Sequence, residues 1–185
     1  MTYTHIVEAV RRLQHAYEEN DPLTLCRYMG IQILYSDLGT GADAIKGFFL
    51  ERFRIPMIVL NANLPLPLRR IIAAHELGHA ALHREQAVHT FSEVQLFDES
   101  SQYEKEANLF AAELLLDDAE VLESLNADST FFSVASQLNV PVELLDFKFR
   151  VMKWKGYKLV EPPLTAQSTF LKDLDVPRDT EGLDI

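Results

Sequence analysis

From residue 4 to 18 the apolar positions Ile6, Val7, Val10, Leu13, Ala16 and Tyr17 return at helical spacing, while Arg11, Arg12, Glu18 and Glu19 fall largely on the other side. This predicts an amphipathic first helix, stopped by Asn20-Asp21-Pro22. Asp21 then serves as cap, and Pro22 as first residue, of a shorter helix through Leu23, Leu25, Cys26 and Met29 that Gly30 ends. The period next changes to that of strands. Ile31 to Tyr35 is β-branched and aromatic, and Lys46 to Leu50 and Pro56 to Leu60 are two more apolar runs separated by polar Glu51, Arg52 and Arg54. Together they predict a small three-stranded, mainly antiparallel sheet.

Pro65 and Pro67 lead into a long, largely buried helix over residues 66 to 83, with Leu66, Leu68, Ile71, Ile72, Ala73, Ala74, Ala80, Ala81 and Leu82. Gln86 to Ser101 is mixed and polar, the pattern of a long loop. Helical periodicity resumes at Tyr103 and runs through Leu115, Asp117 and Asp118 can start another helix through Val121 and Leu122, and Thr130 to Leu138 and Val142 to Met152 predict two more. The fold class is α+β: a mostly helical domain over residues 1–156, its helical C-terminal part at 118–156, followed by an acidic, proline-containing tail at 157–185.

Composition narrows the function classes. With 185 residues, 48% of them hydrophobic, the chain can bury a real core, and its net charge of −11 disfavours DNA phosphates and anionic lipid while suiting a basic partner. Asn139-Val140-Pro141 joins its two helices with the spacing of a helix-turn-helix, and Lys148, Arg150, Lys153 and Lys155 form a local basic cluster. Overall acidity, and the prevalence of helix pairs as packing units, argue against direct nucleic-acid binding. The single cysteine, Cys26, excludes an intramolecular disulfide and a multi-cysteine zinc site. No secretion signal follows Met1, and no run reaches the roughly 18 to 20 apolar residues of a membrane span, so a soluble cytoplasmic protein is expected.

The chemistry concentrates in Ala73-Ala74-His75-Glu76-Leu77-Gly78-His79-Ala80-Ala81-Leu82-His83. Four residues bring a helix back to nearly the same face, so His75 and His79 can offer both imidazoles to one cation. Glu76, on the flank of that face, can take a proton from water rather than bind the metal. This is H-E-x-x-H, the zincin motif. A core helix with hydrogen-bonded histidines is the plainer reading, but the apolar setting favours a metal site. Gly78 costs helix stability, which points to close approach of another backbone or a substrate.

A catalytic zinc takes three protein ligands. Candidates downstream are His83, His89, Asp98, Glu99, Glu104, Glu106 and Glu113. His83 lies roughly 12 Å of helix rise from His75, too far for one ion, and is expected to cap its helix or meet a carboxylate. Glu106 is favoured, because a glutamate on an inward apolar face is expensive to bury unless something cationic meets it. Glu104 and Glu113 read as solvent-facing or paired with Lys105 and other charges; Glu113, two turns from Glu106, is the first alternative.

Asp21-Pro22, Lys46-Gly47-Phe48, Ile58-Val59-Leu60-Asn61, Ala74-His75-Glu76-Leu77-Gly78-His79 and Glu106-Ala107-Asn108-Leu109-Phe110-Ala111-Ala112-Glu113-Leu114-Leu115 together resemble the ImmA/IrrE metallopeptidase family over about residues 20 to 118. The family often has Met-Pro where this chain has Leu116-Asp117. The resemblance implies a zincin-like, gluzincin-like site with His75, His79 and Glu106 on zinc and Glu76 as catalytic base. It also implies site-specific cleavage of a helix-turn-helix repressor of a mobile element or stress response. By analogy with related folds, an extended substrate lies along Pro56 to Asn61, with Ile58, Leu60 and Asn61 in contact. The competing function is a metal-containing protein that sequesters a repressor or antitoxin without cutting it.

Overall fold

The computed structural model describes residues 3–41, 43–83, 91–93, 97, 99, 101–125 and 129–159. Helix α1 (Tyr3–Tyr17) buries Ile6, Val7, Ala9 and Val10. In α2 (Pro22–Tyr28) the Asp21 carboxylate accepts from the Thr24 backbone N–H at 3.0 Å, and Pro22 sits where a missing N–H does no harm. Gly30 follows at φ +71°, a left-handed conformation suited to glycine, and turns the chain into the sheet.

Strands β1 (Gln32–Ser36), β2 (Gly47–Arg52) and β3 (Ile55–Asn61) occupy the three apolar runs. A fourth strand, β4 (Phe91–Glu93), arises inside the segment expected to be all loop. The order is β1-β3-β2-β4, with β1–β3 parallel and the other two pairs antiparallel.

That order bears on the expectation that an extended substrate lies along Pro56 to Asn61. β3 is an interior strand: Ile58 stands opposite Ile33 on one side and Phe49 on the other, so both hydrogen-bonding rows are occupied. Ile58 and Leu60 are fully buried. The Asn61 side-chain amide donates to the carbonyls of Gly39 and Ile45 at 2.8 and 2.9 Å and its oxygen accepts from the Asn63 N–H at 3.0 Å, tying down the loop before β2. All three residues have structural contacts, and strand addition requires a free edge.

Helix α3 (Leu66–Leu82) lies between β2 and β3 on one side and α4 (Gln102–Leu115) on the other. Covered on two sides, it must be apolar nearly all round, and Ile71, Ile72, Ala73, Ala74 and Leu77 are all buried. Gly47 admits it: a Cβ there would stand 2.6 Å from Ile72 Cγ2 and 3.0 Å from the Val59 carbonyl oxygen. Helices α5 (Asp118–Ser124) and α6 (Phe131–Gln137), capped by Asp117 and Thr130, lead to α7 (Val142–Trp154), which packs on α4.

In α7, Leu144, Leu145, Phe147, Lys148, Val151 and Met152 are at most 1% exposed, so that face of the helix belongs to the core. Three of the cations in and just after it, Lys148, Arg150 and Lys155, are engaged internally. Arg150 donates to both Glu99 oxygens at 2.8 Å and to Asp146 at 2.6 Å, while Lys148 and Lys155 bridge Glu113 and Asp118. Among the described residues no helix is long and apolar enough to cross a membrane. The expected tail, from residue 160 on, lies outside the described residues, as do His89 and Asp98.

Candidate metal centre

His75 and His79 stand one turn apart on α3, fully buried, with ring planes crossing at 75° and Nε2 atoms 3.1 Å apart. Glu104, in the first turn of α4, faces them. Its Oε2 is 3.2 Å from His75 Nε2 and 3.5 Å from His79 Nε2. Among the described residues, His75, His79 and Glu104 form the group whose ligand atoms all lie within 4.8 Å of one another. A tetrahedral zinc with bonds of about 2.0–2.1 Å spaces its ligands roughly 3.3 Å apart, so both the donor chemistry and the spacing fit such an ion.

The local sequence accounts for this convergence. Ser101 caps α4 by accepting from the Glu104 N–H at 3.1 Å, which sets the first turn with Glu104 toward α3. One turn later on the same face, Asn108 Oδ1 accepts from His75 Nδ1 at 2.9 Å. That contact holds the His75 proton on Nδ1 and leaves the Nε2 lone pair aimed into the site. Gly78 lets the helices close up: a Cβ would stand 3.2 Å from Ala107 Cα and from two atoms of Phe110. Glu76, next to His75, is fully buried.

Glu106, expected as the third donor, lies elsewhere. Its Oε2 is 2.8 Å from His83 Nε2, and its Oε1 accepts from Gln102 Nε2 at 2.7 Å. Positions 104 and 106 are roughly 200° apart around a helix, so only one of the two carboxylates can face the histidine pair. His83 takes both of the roles its position allowed. It caps α3, its N–H donating to the His79 carbonyl at 2.9 Å, and it meets a carboxylate. Its Nδ1 is also 3.2 Å from His79 Nδ1. Glu113, the first alternative, is bound to Lys148 and Lys155 at 2.8 and 2.6 Å.

Burial dominates the protonation of the imidazoles. It pushes His79 down to about 4 against an opposing hydrogen bond from Glu104, and it lowers His83 despite the Glu106 carboxylate. Both rings are therefore neutral near pH 7, the form a metal requires. For Glu106 burial pushes upward, but hydrogen bonds led by that of Gln102 and including that of His83 prevail and keep it below its ordinary value. Sequence reasoning missed Asn108 and Gln102. The signal for Asn108 was a polar residue within an apolar run, four places after a glutamate and so on its face.

Residues 26–150 match the family described as the IrrE N-terminal-like domain. The chain is 38% identical over 146 residues to uncharacterized immunity region protein 2 of Bacillus phage phi105, an alignment covering 79% of this chain and 90% of that protein. It is 29% identical over 146 residues to metallopeptidase ImmA of Bacillus subtilis strain 168, covering 77% and 83% respectively.

Proposed function

The chain belongs to the ImmA/IrrE family of metallopeptidases, and from that premise we propose that it is a zinc-dependent endopeptidase that cuts a regulatory protein, a helix-turn-helix repressor of a mobile element. The observation that carries the reading is the convergence of His75 Nε2, His79 Nε2 and Glu104 Oε2. These three atoms would hold the ion. Zinc, when bound there, supplies Lewis acidity to the attacking water and the scissile carbonyl. Glu76 is the base: its carboxylate receives the proton of that water and delivers it to the nitrogen of the leaving amine. Glu76 is fully buried, which excludes competing solvent from that exchange.

Support for the substrate class is of two kinds. One relative is named as an immunity region protein of a phage and another as a metallopeptidase, which joins peptidase chemistry to a mobile element. The net charge of −11 suits a basic DNA-binding partner met in the cytoplasm. The test is to incubate the repressor encoded beside this gene with wild type and with Glu76→Gln, both checked for zinc. Wild type should cut, and Glu76→Gln should keep its metal and cut at least about 100-fold more slowly. Equal cutting by both would remove Glu76 as base. A stable complex with no cutting by either would make the protein a sequestering partner.

A further inference from the structure

We propose that Glu106 and His83 form a positioning relay that fixes the tautomer and orientation of His79, so that its Nε2 lone pair faces the metal. The inference rests on the metal site proposed above, and it gives a role to two buried residues which that site leaves out.

The argument follows the protons. A neutral imidazole carries one N–H, and the nitrogen that bears it is decided by its neighbours. His83 Nε2 lies 2.8 Å from a Glu106 oxygen, which can only accept, so the His83 proton belongs on Nε2. His83 Nδ1 is then an acceptor, and the atom facing it at 3.2 Å is His79 Nδ1. Of the two acceptors that face His79, His83 Nδ1 at 3.2 Å is nearer than Glu104 Oε2 at 3.5 Å, which places the His79 proton on Nδ1. Its Nε2 is left with a lone pair, 3.1 Å from His75 Nε2 and 3.5 Å from Glu104 Oε2. Each link follows from the one before.

The relay is rigid at its far end. Glu106 and His83 are 2% and 1% exposed, Gln102 holds the second Glu106 oxygen at 2.7 Å, and the Tyr103 ring stands edge-on to His83 with centroids 5.0 Å apart. The two histidines of the site are thus oriented by different means. His75 is anchored directly by Asn108, whereas His79, a turn nearer the end of α3, reaches a carboxylate only through a third imidazole. Such outer partners of a metal ligand are worth about 10- to 100-fold in affinity.

The tautomers can be read without any metal. Full-length protein stripped of metal and labelled with 15N at histidine should give long-range 1H–15N correlations that place the proton on Nδ1 in His79 and on Nε2 in His83. The opposite assignment overturns the relay, and it needs no variant. Zinc affinity, measured by competition with a chelator, should fall about 10- to 100-fold in His83→Leu, which removes the acceptor. In His83→Gln, whose side-chain oxygen can still accept from His79 Nδ1–H, it should stay within about threefold of wild type. Wild-type affinity in a folded His83→Leu would overturn the proposal. Wild type that takes up no zinc would overturn the metal site itself, and the tautomers would still decide the relay.

Discussion

Helix α4 meets a polar cluster at each end, one buried and one half-buried around Lys148, and they differ in kind. Toward α3, Glu104 meets two imidazole nitrogens, all three atoms being donors suited to a cation. Toward α7, Glu113 and Asp118 meet Lys148 and Lys155 at 2.6 to 2.8 Å, so each negative charge has a positive one beside it. The second cluster is self-sufficient. Two carboxylates and two ammoniums cancel, which is what a purely structural network requires. The first is matched instead to an ion that the chain does not encode, and its ligand spacing is that of one. A buried glutamate is therefore not by itself a metal signal; what distinguishes the two clusters is the company each carboxylate keeps.

The largest effect that would break this comparison is in the metal itself. Glu104→Ala should weaken zinc binding by more than about 100-fold, beyond what an outer partner supplies. Glu113→Ala should leave zinc content unchanged but lower the unfolding free energy by about 3 kcal/mol, since Lys148 is only 1% exposed and loses one of its two carboxylates. Zinc per chain and urea unfolding on both variants decide it. Zinc loss in Glu113→Ala with retention in Glu104→Ala would reverse the roles of the two ends of α4.

This is also where the sequence stopped being readable. His75, Glu76 and His79 share one helix, so their relation follows from a period of 3.6 residues and needs no tertiary information. The third donor depends on how α4 is rotated against α3, which no local pattern states. The cost of burying a glutamate pointed to Glu106, which is indeed buried, but so is Glu104, and the argument does not say which cation or imidazole each one meets. The sheet divides the same way. Apolar runs specify its three longer strands, whereas the pairing of β3 on both sides is a matter of topology that no run states. The β2–β3 hairpin turns on Phe53 and Arg54, at φ +54° and +64°, without the glycine or asparagine that usually marks such a turn.

Acid should take the two clusters apart in succession. In the metal-free chain burial holds folded His79 at about 4, against an ordinary value of 6.5. Between those values the unfolded chain binds a proton that the folded one refuses, so stability falls as pH drops through that window, by on the order of 3 kcal/mol. Below about 4 both states are protonated and this loss ends. For Asp118 burial pushes upward, but the hydrogen bonds of Lys148 and Lys155 prevail and set it below its ordinary 3.8. Its contribution is complete above that value and disappears as pH falls through the lower, folded one. Unfolding free energies of metal-free wild type and Asp118→Asn should run parallel from pH 7 to about 4 and converge only below it. Convergence already above pH 4 would assign the earlier loss to the ion pairs.

Gly78→Ala tests whether close helix approach belongs to the metal end alone. The added methyl, 3.2 Å from Ala107 Cα and Phe110, should cost about 2 kcal/mol of overpacking, partly offset by about 1 kcal/mol of helix propensity. The net loss is small, but it should come with a several-fold drop in zinc affinity, because α4 must retreat from the histidines. An unchanged affinity would mean that Glu104 follows α3 whatever the spacing.

The smallest expected change sharpens the comparison most. Lys148→Met together with Glu113→Leu removes one ammonium and one carboxylate from the second cluster and leaves Lys155 paired with Asp118 at 2.8 Å. Each single substitution leaves the cluster with one charge in excess, whereas the double one removes one charge of each sign and replaces them by apolar atoms of similar volume, so it should fall within about 1 kcal/mol of wild type. Zinc binding should not change. A double variant as unstable as the sum of the singles would show that these ion pairs support the fold in a way charge balance does not explain. Near-wild-type stability with intact zinc would mean that this end of α4 can be rewritten in hydrocarbon, while the other end keeps its imidazole and carboxylate donors.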